Sequence, residues 1–448
     1  MSCQLISEVV DIKKRTSTKI VCAAPWVEGV LRADGNLLIC CRNSTSLGNW
    51  QKSGLASLYN NDLIQNFRQR ITNEIIHDKM CETCISNGTI RTIYSELFPP
   101  YKSILIKISP YIESNYMNEL RAFAPVLANN EYSLHVAEKI AHIRTIVADM
   151  IKEKESIELY LKKILIILNI AESYYKRKPI VSEIIPFRQV SLKAQCNARC
   201  IQCPGIYTGS VVNGLDMPEE FIEEAFSHPA DMINFFMNGS EFLYVNGWKD
   251  IASTLKQNAV ELGISTNGIL LTPANIRYII DNELSRNINI SLDGAIKETV
   301  GSIRVNVNYD KLLKSIEFLF NYAEKKCYEL NVSFSFVLMK RNYKEFPDMI
   351  DLISRLRQKA CSQSSKTFYT ELFFNCQSLE GMSNEAYNSF LSKEHISLAN
   401  RTELVSMFNK CRMLKDEHNV SINILYSYSI DKFLEYNYPI PPMPERVN

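Results

Sequence analysis

From residue 186 to 378 the chain alternates short apolar runs of β type with stretches of helical spacing. The runs cover 189–194, 232–237, 260–266, 288–292, 332–339 and 368–374. Six such units predict an α/β core, a parallel sheet joined by crossover helices. Each run ends in a polar cluster. Upstream, 27–39 alternates around Ala33-Asp34-Gly35-Asn36, a hairpin signal, and a helix is predicted over 61–77. Residues 91–185 show helical periodicity at 132–150 and 157–171, with Pro99-Pro100, Pro110 and Pro125 expected to break the earlier part. Helical patterns return from 383 to 417, and the proline-rich 438–444 reads as an extended tail. Four regions follow: a small cysteine-rich α+β domain (1–90), a helical insertion (91–185), the core (186–378) and a helical extension (379–448).

Composition narrows the partners. The 448 residues carry a net charge of +1, so no strong field points to nucleic acid or to a membrane surface. The apolar stretch 164–171 is far too short to span a bilayer. The first twenty residues lack the apolar segment of a secretory signal, and a cytoplasmic location is expected. In that setting the 13 cysteines are expected reduced, and clusters of them read as metal or redox sites.

Two clusters stand out. Cys196, Cys200 and Cys203 sit on one short loop after the first core run. Thiolates at close spacing are how a loop wraps an iron–sulfur cluster, and three of them leave one iron of a cubane open. The second set is Cys22, Cys40 or Cys41, Cys81 and Cys84. The hairpin would bring Cys22 towards Cys40, and the helix over 61–77 would deliver the Cys81-x2-Cys84 pair. Four thiolates close a zinc site or complete a cluster, and local chemistry leaves both open. Cys327, Cys361, Cys376 and Cys411 lack ligand spacing and read as small buried hydrophobes, with Cys376 the one that could face a site.

The Cys196-x3-Cys200-x2-Cys203 triplet resembles the signature of the radical SAM superfamily. The resemblance implies a partial (β/α)6 TIM-type barrel, with the site at the C-terminal strand ends. It implies a [4Fe-4S] cluster on the three cysteines, with S-adenosylmethionine chelating the open iron and cleaved to a 5′-deoxyadenosyl radical. The strand-end clusters match family elements in order. Asn238-Gly239-Ser240-Glu241 stands where the family has Gly-Gly-Glu-Pro, with Glu241 suited to the methionyl ammonium. Ser265-Thr266-Asn267-Gly268 is the next strand end. Ser291-Leu-Asp293-Gly294 with Arg304 matches Ser-x-Asp-Gly followed by arginine. There Ser291 would touch the ribose or carboxylate, and Arg304 would bind the carboxylate. Asn342-x2-Glu345 follows the fifth run. Gln202 departs from the aromatic residue usual before the third cysteine.

Residues 22–84 resemble the SPASM/twitch family: Cys22-Ala-Ala-Pro-Trp, Asp34-Gly35-Asn36, Cys40, Leu47-Gly48-Asn49, Phe67-Arg68 and Cys81-x2-Cys84 keep order and spacing. The resemblance implies a second, auxiliary [4Fe-4S] cluster, with Cys40 rather than Cys41 as ligand. Here the domain precedes the core, where most relatives carry it after. Together the resemblances imply an enzyme that abstracts hydrogen from a substrate, with peptide or protein side-chain modification ranked ahead of small-molecule oxidation. The alternative is a non-catalytic metal-binding relative. A reducing partner such as flavodoxin or ferredoxin is implied, and no nucleic acid or membrane partner.

Overall fold

The computed structural model describes residues 22–32, 35–40, 45–73, 81, 84, 92–127, 133–182, 185–191, 196–207, 226, 231–238, 241–361, 370–378 and 384–424. Two compact units are present. One comprises Met1–Val27, Gln65–Ile76 and Ile90–Glu183; the other comprises Glu28–Ile64, His77–Thr89 and Ile184–Asn448. The units therefore interleave the first 90 residues.

Among the described residues, the second unit holds all the strands. In chain order they are β1 (Glu28–Arg32), β2 (Asn36–Leu38), β3 (Ser46–Asn49), β4 (Phe187–Ser191), β5 (Arg199–Cys200), β6 (Asn234–Asn238), β7 (Glu261–Thr266), β8 (Asn287–Ser291), β9 (Arg304–Val305), β10 (Leu330–Leu338), β11 (Thr370–Ser378) and β12 (Ser421–Ile424). Ten of them form one sheet in the order β12-β11-β10-β8-β7-β6-β4-β1-β2-β3; β5 and β9 pair separately. All six predicted core strands are present, as β4, β6, β7, β8, β10 and β11, each parallel to its neighbours.

Because successive core strands lie side by side, right-handed crossovers put their helices on one face of the sheet. That face is apolar and buried: Leu262 and Ile264, Ile288 and Ile290, Val332 and Phe334, Leu372 and Phe374. The intervening residues are half-buried and mostly polar, among them Gln189, Ser265, Asn289, Ser333, Ser335 and Asn375.

Two additions extend the predicted core. The hairpin of β1 and β2 forms as expected, but β1 also pairs in parallel with β4. Its turn uses Gly35 at φ +86°, a left-handed conformation that favours glycine. At the other end, the segment expected to be helical also supplies β12, parallel to β11.

In the first unit, helices span Ile93–Ile108, Ser114–Arg121, Leu134–Glu153 and Glu158–Tyr175. Pro99 and Pro100 do not break the first of these; they lie inside it. Leu97, Tyr101, Ile104, Leu105 and Ile108 keep helical spacing on its buried side, and their burial offsets the backbone bonds the prolines remove. Buried Arg68 ties the unit's three segments together. Its Nε donates to Pro25 O at 2.8 Å and its Nη1 to Pro179 O at 2.6 Å. Among the described residues, no helix is long and apolar enough to cross a membrane.

Candidate functional site

Parallel strands end on the same edge of a sheet, so the loops after β4, β6, β7, β8 and β10 gather there. The loop after β4 carries the cysteine triplet. Its short strand β5 pairs antiparallel with β9, setting Cys200 opposite Arg304, and Ile201 N donates to Ile303 O at 2.9 Å. Arg304 Nη1 thereby reaches Cys200 Sγ at 3.6 Å. From the end of β7, Asn267 Nδ2 lies 3.5 Å from Cys196 Sγ and donates to Asn197 Oδ1 at 2.8 Å. Cys203 N donates to Cys200 O at 3.0 Å, closing the turn.

All three cysteines are half-buried. Burial pushes the Cys200 thiol up to about 11, although the Arg304 charge opposes it, and burial likewise raises Cys196. A bound metal reverses this and deprotonates its thiols. Among the described residues no three cysteine, histidine or carboxylate side chains gather as a ready site for a single metal ion. A cubane spreads its thiolates over separate irons, so cluster ligands need not converge on one point. The donor set fits a cluster: three thiols on one loop, with an amide and a guanidinium aimed at two of the sulfurs.

Beneath the loop lies Asp293, fully buried. Its Oδ2 accepts from Arg304 Nη2 at 2.7 Å and from Gln202 Nε2 at 2.5 Å; its Oδ1 accepts from Val337 N at 2.7 Å. Burial pushes this carboxyl upward, and the Arg304 charge and the Val337 N–H pull against it. With donors facing both oxygens, the geometry is that of the carboxylate. Asn342 locks the loop from behind: its Nδ2 donates to Asp293 O and Val337 O, both at 2.9 Å, and its Oδ1 accepts from Met339 N at 2.7 Å. Arg304 is thus engaged with Asp293 and Cys200. Among the described residues, Arg304 Nε and Gln202 Oε1 have no hydrogen-bond partner.

Glu241, after β6, is buried against the end of β7. It accepts from Thr266 Oγ1 at 2.7 Å and from Asn267 N at 2.5 Å. Burial pushes its carboxyl up to about 7, against those hydrogen bonds. The structure therefore joins Glu241 to Cys196 through Asn267, and Asp293 to Cys200 through Arg304. Ser265 and Ser291 are half-buried on β7 and β8. Gly239 and Ser240 lie outside the described residues. Sequence reasoning missed the role of Gln202; a polar residue where an aromatic is usual was the available signal. In the sequence Thr266 is visible only within the strand-end run Ser265-Thr266-Asn267-Gly268, without its contact to Glu241.

Of the second cysteine set, Cys22 lies in the first unit and Cys40, Cys81 and Cys84 in the second, each half-buried. Cys41 lies outside the described residues. Of the remaining cysteines, Cys376 and Cys411 are buried, whereas Cys327 is exposed, at a left-handed position after a helix. Cys376 sits on the buried side of β11 with Leu372 and Phe374.

Residues 22–85 match the SPASM iron–sulfur cluster-binding domain. An AdoMet-dependent heme synthase of Methanosarcina barkeri is 29% identical over 169 residues, 37% of this chain and 46% of that protein. An Archaeoglobus fulgidus protein is 26% identical over 163 residues, 36% of each chain. The chain thus spans less than half the length of these relatives. Among solved structures, Streptococcus suis SuiB bound to S-adenosylmethionine aligns at TM-score 0.41 and 12% identity, covering 68% of this chain and 59% of that one. SuiB bound to its precursor peptide SuiA aligns at 0.41 and 12%, covering 63% and 62%.

Proposed function

We propose, on the premise that this chain is a SPASM-domain-containing enzyme of the radical SAM family, that it generates a substrate radical from S-adenosylmethionine to modify a peptide or protein side chain. The observation that carries the reading is the cysteine loop itself, with Asn267 and Arg304 directed at Cys196 and Cys200. When bound, the [4Fe-4S] cluster supplies the electron that cleaves S-adenosylmethionine and so starts hydrogen abstraction. Cys196, Cys200 and Cys203 would hold the cluster. Glu241 would hold the methionyl ammonium, and Ser291 would touch the ribose or carboxylate. Arg304 would steady the Cys200 sulfur and, through Asp293, the loop beneath it. Strands β4, β6, β7, β8, β10 and β11, side by side in that order, support a partial (β/α)6 barrel. The cysteines of the SPASM-matching segment would carry an auxiliary cluster, and a flavodoxin or ferredoxin would supply electrons.

The name of the heme synthase relative makes a tetrapyrrole the competing substrate. The first test is chemical. Anaerobically reconstituted protein, reduced with dithionite, should convert S-adenosylmethionine to 5′-deoxyadenosine. No 5′-deoxyadenosine from protein with its full iron content would refute the reading and leave a non-catalytic metal protein.

A further inference from the structure

Cys196 and Cys200 are held through their sulfurs, by Asn267 and Arg304. Cys203 is held another way, through the backbone around it. Its N–H donates to Cys200 O at 3.0 Å, and its carbonyl accepts from Ile206 N at 3.1 Å, at the start of the short helix Pro204–Tyr207. One turn on, the Tyr207 hydroxyl reaches back and donates to Ile201 O at 2.8 Å. Cys203 thus sits inside a closed ring of chain, from Ile201 to Tyr207, that the Tyr207 side chain locks.

That lock is seated on the extension after β11. The Tyr207 ring meets Tyr387 edge-on at 5.2 Å between centroids and lies tilted against Phe390 at 5.9 Å. Both partners belong to the helix Glu385–Glu394, where their spacing makes them neighbours on one face. The N-cap of that helix, Asn384, serves both sides of the contact. Its Oδ1 accepts from Tyr387 N at 2.9 Å, and its Nδ2 donates to Tyr207 O at 3.1 Å. At the far end of the helix, Glu394 O accepts from Lys340 N at 2.8 Å and the Glu394 carboxylate accepts from Arg341 Nη2 at 2.5 Å, both just after β10. Between the two ends, Phe390 and Leu391 pack with Ile201, Ile303, Val337 and Met339. The helix therefore runs from the ring around Cys203 to the end of the strand whose Val337 N–H holds Asp293.

We infer that Tyr207 is a positioning residue for Cys203, and that the helix Glu385–Glu394 belongs to the cluster site as the element that holds Tyr207. The inference rests on the reading that the three cysteines ligate one cluster. Ligands on one loop must keep their mutual positions for a cluster to be held, and Cys203 is the last of them before the chain leaves the loop. Tyr387 is buried, whereas Tyr207 and Phe390 are half-buried, so the clamp lies at the rim, where the loop is freest to lift from the sheet. Its two components are separable. Removing the hydroxyl should raise the open population of the Cys203 segment by about two- to tenfold, the worth of one hydrogen bond. Removing the Phe390 ring should do at least as much, since an aromatic pair is worth about the same before its buried area is counted. A helix that merely completed the core would, on losing these contacts, loosen the whole unit without singling out one cysteine.

The test is alkylation of the full chain with iodoacetamide, resolved cysteine by cysteine by peptide mass spectrometry. In the reduced, metal-free protein, Cys203 should react about two- to tenfold faster in Tyr207→Phe and in Phe390→Ala than in wild type, while Cys196, held by Asn267, should change by less than about twofold. Tyr207→Phe keeps the ring contacts and loses only the hydroxyl, so it decides the matter if Phe390→Ala melts well below wild type. In anaerobically reconstituted protein the cluster should protect all three cysteines. As EDTA strips the iron, Cys203 should become reactive ahead of Cys196 in the variants and together with it in wild type. Unchanged Cys203 reactivity in folded Tyr207→Phe, equal acceleration of Cys196 and Cys203, or an unaltered order of deprotection would each overturn the inference. Reconstituted wild type whose three cysteines stay reactive would instead refute the cluster reading, on which the metal-free measurement does not depend.

Discussion

Asp293→Asn tests the anchor beneath the cysteine loop. The change is nearly isosteric and keeps an acceptor for Val337 N. It removes the charge facing Arg304, however, and turns an amide N–H toward two groups, Arg304 Nη2 and Gln202 Nε2, that are themselves donors. Both members of the ion pair are buried, with side-chain exposures of 7% and 0%. Removing one member of such a pair costs about 3–5 kcal/mol, because the other charge stays buried without compensation. At about 1.4 kcal/mol per tenfold, the folded-to-unfolded ratio should fall by roughly a hundred- to several-thousand-fold. Urea unfolding of the reduced, metal-free protein reads this. Hydrogen exchange over β10 assigns the loss to the right unit, since Val337 N–H is bonded to Asp293. The double variant Asp293→Asn/Arg304→Gln removes both charges and should recover more than half of the loss. A single-variant loss under about 1 kcal/mol, or a double variant no better than the single, would show that the pair does not anchor the loop.

Three further outcomes are expected. Glu241, raised to about 7, is mostly neutral at pH 6 and ionised at pH 8, so S-adenosylmethionine affinity, measured by dialysis, should tighten by up to about tenfold across that range. Glu241→Gln should flatten the profile, and a wild-type affinity indifferent to pH would exclude an ammonium contact. For the unliganded fold the sign is opposite: the raised carboxyl adds stability fully below about 4.5 and loses it as pH climbs through about 7. Replacing Cys196, Cys200 and Cys203 together with alanine should remove about half of the bound iron if both clusters are present; one zinc with about four irons in anaerobically purified wild type would reassign the auxiliary site to zinc. Arg68→Met should destabilise the helical unit by about 2–4 kcal/mol, since two backbone carbonyls lose a charged donor; a melting temperature within a degree of wild type would contradict that role.

What the sequence made legible was local. Six strands could be read because each alternates over five to nine residues, and the strand-end motifs could be read because they follow those strands directly. Pairing partners were not legible. Nothing near Glu28–Arg32 announces that β1 will lie beside β4, more than 150 residues away, or that four residues after a long helix will form β12. The Pro99-Pro100 pair misled because the local cost of proline was visible while the burial that offsets it was not. In the site, Cys196, Cys200, Glu241 and Arg304 were legible as residue types. Their grouping through Asn267 and Asp293 was not, because it depends on loops from separate strands meeting at one edge.

The interleaved course of the first 90 residues bears on how the protein is made. Arg68 closes on Pro25 and on Pro179, so the helical unit cannot complete itself until the ribosome has released the chain beyond residue 179. During that interval β1 can pair only with β2 and leaves its other edge open, since its parallel neighbour β4 starts only at Phe187. The helical unit becomes able to close once its last residue, Glu183, has emerged, whereas the sheet unit still awaits its core strands through β11, which ends at Ser378, and β12, which ends at Ile424. The same geometry sets where the gene can be cut. A fragment beginning at residue 91 would lack Arg68 from one unit and three strands from the other. A separately expressed 1–90 would have neither the partner strand nor the Pro179 carbonyl against which its own residues fold.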